Sequence, residues 1–358
     1  MPKLAARSDR FSLVRTNVNF NGGHRPAGSI GLTGGLANDG GEDVGGKPGN
    51  YPPNFGSILA RHRGAGNLPP FISLARGPIG DGVGPIFGHG GGKWGKAYDP
   101  FMMNCSETGD VSIPELTLAD GLTPARLTDR RSVLKELDAA RTQIDASAFD
   151  QWDNVYQKAY NLLVSSSASE VFDLSRESDA TRAAYGRTSF GQSCLLGRRL
   201  VEAGVPYVQV NWSQYVEVFY QFSDYGWDTH ADNFELLADW HGPLLDVVLS
   251  TLLDDLEARG LLQSTLVLCL GEFGRTPRIN EIASRDHWHQ CYFSIWAGAG
   301  IRPGCVVGES DPHGEYPLTD PVTPAMVGTT ILELAGVSTA ARAQLKVLEE
   351  GRVIDGLL

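Results

Sequence analysis

The segment Thr265–Leu270 (TLVLCL) carries no charged or amide side chain, and it follows directly on a helical pattern. A short run with no polar alternation buries both of its faces, as a strand covered by helices on both sides does. The preceding helix is expected from about Asp232 to Arg259. Its apolar residues Phe234, Leu237, Leu244, Val248, Leu252 and Leu256 recur near helical spacing, and Gly260 stops it. The same join recurs upstream, where the amphipathic TSFGQSCLLGRRLVEAGV closes on Gly204 and feeds the strand PYVQVNW. CYFSIWAGAGI gives a third buried strand, and Phe11–Thr16 and PPFISLA give shorter ones. A short helix is expected around Ala27–Leu32, another in YPPNFGSILARHR, and a last one opened by Thr323 as N-cap and Pro324 at N1. This alternation predicts an α/β fold with a mostly parallel central sheet sandwiched by helices. Such sheets bind ligands at the carboxyl ends of their strands. Function is therefore sought just past Trp212, Leu270 and Ala297.

One domain over residues 1–358 is expected. Within it, 37–186 reads as long glycine-rich loops, GHGGGKWG among them as a flexible one, with a helical insertion over Thr123–Ser167. The formal charge of −12 argues against nonspecific nucleic-acid binding, which needs Lys and Arg to neutralise phosphates. No apolar run approaches the length of a membrane span. Five cysteines without a CxxC spacing disfavour a disulfide scaffold or a four-cysteine zinc site.

Four stretches carry metal-binding side chains. They are Asp228 and His230 in GWDTH, Glu272 in GEFGRTP, Asp286, His287 and His289 in RDHWH, and His313 in DPHGEYP. Mixed carboxylate and imidazole ligands suit zinc, manganese or iron better than calcium. Arg275, three residues past Glu272, has the planar fork that recognises a phosphate- or sulfate-like group. Taken singly, each residue has a plainer reading. Asp228 suits a helix start and Asp286 a turn, His289 and His313 suit the surface, and Glu272 with Arg275 makes a salt bridge. Their common placement at one predicted sheet edge is the argument for a shared site. No GxSxG elbow, P-loop or HExxH motif is present.

The phrases YGRTSFGQSCLLGRRLVEAGVPYVQVNW, GWDTHADNF, LGEFGRTPRIN and RDHWHQCYFSIWAGAGI together resemble the domain of unknown function (DUF) 1501 family of planctomycetes and related bacteria. That family looks like a branch of the alkaline phosphatase and sulfatase superfamily. The resemblance implies an α/β sandwich, a divalent metal (Zn, Mn or Ca) at the strand ends, and hydrolysis of a small anionic ester or sulfated glycan. Asp228, His230, Asp286, His287 and His313 are then the expected ligands, with Glu272 a ligand or its anchor and Arg275 the anion holder. HRPAGSIGLTG matches the superfamily's nucleophile pattern at Pro26, Thr33 and Gly34, which puts His24 where the nucleophile stands. Phe273 departs from the superfamily's aspartate–histidine pair. Family members also carry an upstream twin-arginine signal and a first strand. The resemblance therefore implies a periplasmic or extracellular protein and an N-terminally truncated member. The alternative implied is a non-catalytic exported protein of the same fold that binds a glycan or a surface partner.

Overall fold

The computed structural model describes residues 1–35, 51–64, 66, 68–74, 86–112, 170–212 and 226–358. The helical insertion expected over Thr123–Ser167 lies outside them. The described strands are β1 (Phe11–Asn17), β2 (Phe71–Leu74), β3 (Phe101–Cys105), β4 (Val111–Ser112), β5 (Tyr207–Val210), β6 (Val267–Leu270), β7 (Gly274–Arg275), β8 (His287–Trp288), β9 (Tyr292–Ala297) and β10 (Val306–Val307). The main helices are α1 (Pro2–Ala5), α2 (His24–Thr33), α3 (Phe55–Arg63), α4 (Asp179–Ala184), α5 (Ser189–Glu202), α6 (Asn233–Ala258), α7 (Pro324–Leu334) and α8 (Thr339–Leu345). The fold is mixed α/β.

The described strands make two four-stranded sheets and a small hairpin, not one mostly parallel sheet. The first sheet has the order β10-β1-β9-β6. In it β1, β6 and β10 run the same way, and β9, set between β1 and β6, is antiparallel to both. The second sheet, β4-β3-β2-β5, is parallel except at its β4 edge. The reason for the difference lies between β6 and β9. A parallel return needs a crossover long enough for a helix, and residues 271–291 hold only the β7–β8 hairpin. The apolar run at β9 is buried, that at β6 is only half-buried rather than covered on both faces, and neither state fixes strand direction.

This antiparallel pairing still gathers the chemistry at one edge. Leu270 pairs with Ser294, and Asn17 pairs with Tyr292. The carboxyl ends of β1 and β6 thus lie beside the amino end of β9. His24 follows β1, Glu272 follows β6, and His287 precedes β9.

Helix α3 bridges the two sheets. On α3, Phe55, Ile58 and Leu59 share an apolar cluster with Trp296 of β9. A Cβ on Gly56 would meet Phe71 of β2 and Tyr207 of β5 at under 3 Å, so only glycine lets α3 approach the second sheet. Asn54 caps α3 through the Gly56 amide, and Thr323 caps α7 through the Met326 amide. The stretch around GHGGGKWG folds as three packed 3₁₀ turns over 87–98, not as a loose loop. Arg61 of α3 lies over the Trp94 ring there at 4.4 Å.

Helix α6 is long and apolar enough by composition to cross a membrane. Its Val248, Leu249, Leu253 and Leu256 are buried in this protein's own core, and the buried Asp246 accepts the Lys3 and Leu4 amides. Its second turn, Leu236–His241, is wound as a π-helix.

Candidate metal centre

Asp228 is the hub. His24 Nε2, His230 Nε2 and His287 Nε2 each lie 3.0 Å from one of its carboxylate oxygens. Arg275 Nη2 donates to Asp228 Oδ1 at 2.8 Å and to the Trp227 carbonyl at 2.7 Å. Four basic side chains from separate segments therefore meet one acid. His24 is the first residue of α2, Asp228 and His230 precede α6, Arg275 lies on β7, and His287 lies on β8.

Each of the three imidazoles is held from behind. His24 Nδ1 lies 2.7 Å from Glu272 Oε1, His230 Nδ1 lies 2.9 Å from Asp286 Oδ1, and His287 Nδ1 donates to the Gly22 carbonyl at 2.6 Å. A histidine backed on one nitrogen by a carboxylate or carbonyl turns the other toward a metal, which is the usual arrangement around protein metal sites. The Asp286 carboxyl is held below its usual range by His230, and it also accepts from Asn280 Nδ2 at 3.3 Å.

The electrostatics call for a positive charge at the centre. With protons on their anchored Nδ1 atoms, neutral His230 and His287 turn Nε2 lone pairs toward each other at 2.9 Å and toward the Asp228 carboxylate. That arrangement repels itself unless a proton or a metal ion sits among them. Burial pushes the Asp228 carboxyl up, but His24, His287 and Arg275 outweigh it and hold the group far below its ordinary value. Burial pushes His24 down, but Asp228 and Glu272 on either side raise it to about 9. Glu272, raised by burial and lowered more by His24, also ends below its usual value.

His24, Asp228 and His287 are the best-placed ligands, with their donor atoms all within 4.8 Å of one another. His24 Nε2 is a buried nitrogen with no hydrogen-bond partner, since its 3.0 Å approach to Asp228 Oδ2 is off the line of a hydrogen bond. This orphaned donor and the mixed nitrogen and oxygen set fit a zinc- or manganese-like ion.

The structure thus brings together seven of the eight residues expected from the sequence. His24, Asp228, His230, Glu272, Arg275, Asp286 and His287 share the cluster. His313 does not join them. It is exposed in a loop where its amide donates to Asp311, and no contact among the described residues links it to the cluster. Arg275 pairs with Asp228, not with Glu272. His289 Nδ1 binds the Asn19 carbonyl at 2.8 Å. Phe273 packs at a tilt against His287 with ring centroids 4.3 Å apart and also lies against His24, so it walls the centre. Sequence reasoning missed Gly22 and Trp227, whose roles are carried by main-chain carbonyls that leave no side-chain signal.

A family model described as a protein of unknown function (DUF1501) matches residues 1–357. The chain belongs to the DUF1501 family. No curated protein matches the chain.

Proposed function

We propose that this DUF1501 protein is a metal-dependent hydrolase of phosphate or sulfate esters, with a fold related to the alkaline phosphatase superfamily and a place outside the cytoplasm. The observation that carries the reading is the convergence of three back-anchored imidazoles on Asp228. His24, Asp228 and His287 would hold the ion, with His230 and Asp286 beside them. A bound divalent metal supplies Lewis acidity toward an ester oxygen or lowers the pKa of a water. Glu272 fixes the orientation of His24. Arg275 holds Asp228 and places a cation at the same edge, which suits a small anionic ester.

The test is metal content and turnover together. Metal-loaded protein is assayed on aryl phosphates and aryl sulfates with and without chelator, beside Asp228→Ala. Chelator-sensitive turnover that Asp228→Ala lacks supports the reading, and equal, negligible metal in both proteins sinks it.

A second reading is favoured by His24 itself. It stands where the superfamily carries its nucleophile, and both of its nitrogens face carboxylates. With Nδ1 tied to Glu272 and Nε2 given to the metal, His24 has no lone pair left for attack. On this reading the protein keeps the centre but binds a glycan or surface partner without turnover. Metal binding without hydrolysis of any ester in the panel selects it.

A further inference from the structure

We propose that Thr229, Asn233, Asn280 and Ser284 form a positioning clasp that sets the Asp228–His230 segment against the hairpin presenting Asp286 and His287. The proposal rests on the metal-dependent reading above and adds residues outside the ligand set.

Thr229 lies between Asp228 and His230, so whatever fixes it fixes both. It is buried, as are Asn233 and Ser284. Ser284 Oγ donates to the Thr229 carbonyl at 3.0 Å and accepts from the Asn233 amide at 3.3 Å. Asn233 Nδ2 closes the ring by donating to Thr229 Oγ1. Buried polar groups bonded in a closed ring rigidify what they join, because each would be left unsatisfied if the ring opened.

Asn280 extends the clasp to the acid that backs His230. Its Oδ1 accepts the Ser284 amide at 2.8 Å and the Ile282 amide at 3.2 Å, while its Nδ2 reaches Asp286 Oδ1. One path thus runs from Thr229 through Ser284 and Asn280 to Asp286 and back to His230. The hold is at the base of the loop, since Ile279 and Ile282 at its tip are 57% and 65% exposed.

The backbone gives an independent sign. Asp232 has φ 53° and Ala283 has φ 58°, each one residue before a clasp member. A non-glycine residue in the left-handed region persists only where its surroundings hold it there. Both turns aim an amide or side chain into the ring.

The experiment titrates Co²⁺ into metal-free protein and records affinity, the visible Co²⁺ spectrum and the melting temperature. The variants are Ser284→Ala, Thr229→Val and Thr229→Ser. Thr229→Val keeps the shape and removes the hydroxyl, whereas Thr229→Ser keeps the hydroxyl. Loss of at least about tenfold in Co²⁺ affinity with an altered spectrum is expected for Ser284→Ala and Thr229→Val, the scale for outer-shell partners of metal ligands. Thr229→Ser should return both to near wild type. Wild-type affinity and spectrum in Ser284→Ala and Thr229→Val would overturn the clasp alone and leave the metal reading standing. Equal weakening in Thr229→Val and Thr229→Ser would also overturn it, since the hydroxyl would then be irrelevant. Absence of Co²⁺ binding by the wild-type protein overturns the metal reading and the clasp with it.

Discussion

His287 Nδ1 lies 2.6 Å from the carbonyl of Gly22. A carbonyl only accepts, so this contact puts the proton on Nδ1 and leaves Nε2 facing Asp228. It also ties the β7–β8 hairpin to the segment that leads into α2 and His24. Two ligand positions far apart in sequence are thereby set by one bond.

Removal of a ligand should therefore empty the centre. His287→Ala and Asp228→Ala are each expected to lower divalent metal bound after gel filtration at least about tenfold. Elemental analysis of the three purified proteins checks this. His313→Ala, outside the cluster, should bind metal as the wild type does.

The metal-free protein should lose stability as pH rises. His24 goes from an ordinary 6.5 to about 9 in the folded chain. A raised value stabilises the fold fully below 6.5, and that contribution disappears as pH climbs through about 9. Asp228 works in the other direction. Its lowered value contributes above its ordinary 3.8, and the contribution is lost only in strong acid. With chelator present, the melting temperature should fall between pH 6.5 and about 9, the span of the His24 shift. The fall should be smaller in His24→Asn. An equal fall in both proteins would contradict this assignment.

Gly88→Ala should disturb the centre from a distance. A Cβ at Gly88 would lie 2.6 Å from backbone atoms of Ser29, in the middle of α2. Backbone cannot swing aside as a side chain does, so α2 must shift and carry His24 with it. A loss of about 1–3 kcal/mol in urea unfolding is expected, the usual range for overpacking, together with weaker metal binding.

Arg198→Met should be severe although it lies outside the cluster. The Arg198 side chain is fully buried among Glu177, Glu202 and Asp255, at 2.9, 2.8 and 2.8 Å. Its removal takes the buried cation from Glu177 and Asp255, which keep only Arg199 and Arg259 at the rim of the cluster, at a cost of about 3 kcal/mol, the low end for breaking a buried pair. Arg352, half-exposed beside Asp320 and Asp355, is the control. Its replacement by alanine should change urea stability by no more than about 0.5 kcal/mol.

The sequence carried the elements and the site edge because both depend on local pattern. Gly204 and Gly260 adopt φ 87° and 68° at the ends of the helices they were expected to close. Glu272 stands just past β6 as the apolar run implied. Strand direction was not legible, since β9 is equally apolar whichever way it runs. Nor was the packing of the glycine turns, which depends on Ser29 and Tyr51 far away in sequence. His313 was expected at the centre from its residue type and from the family resemblance, and three-dimensional placement leaves it in a solvent loop. Ser284 and Asn280 gave no signal because an Asn or Ser in a loop is ordinary until its partner is known.

The π-wound turn at Leu236–His241 makes α6 one residue longer there than an α-helix of the same rise. That extra residue decides how Asn233 at the helix start is rotated relative to Val248 and Leu249 in the core. Deleting any single residue from 236–241 would restore ordinary winding and leave Asn233 facing as it does, because the wide turn absorbs one residue. The same deletion further along α6 meets no wide turn and would rotate the start of the helix by about 100°. A three-nucleotide deletion is therefore milder in this turn than between Leu245 and Leu256, where it would turn Asn233 away from Thr229.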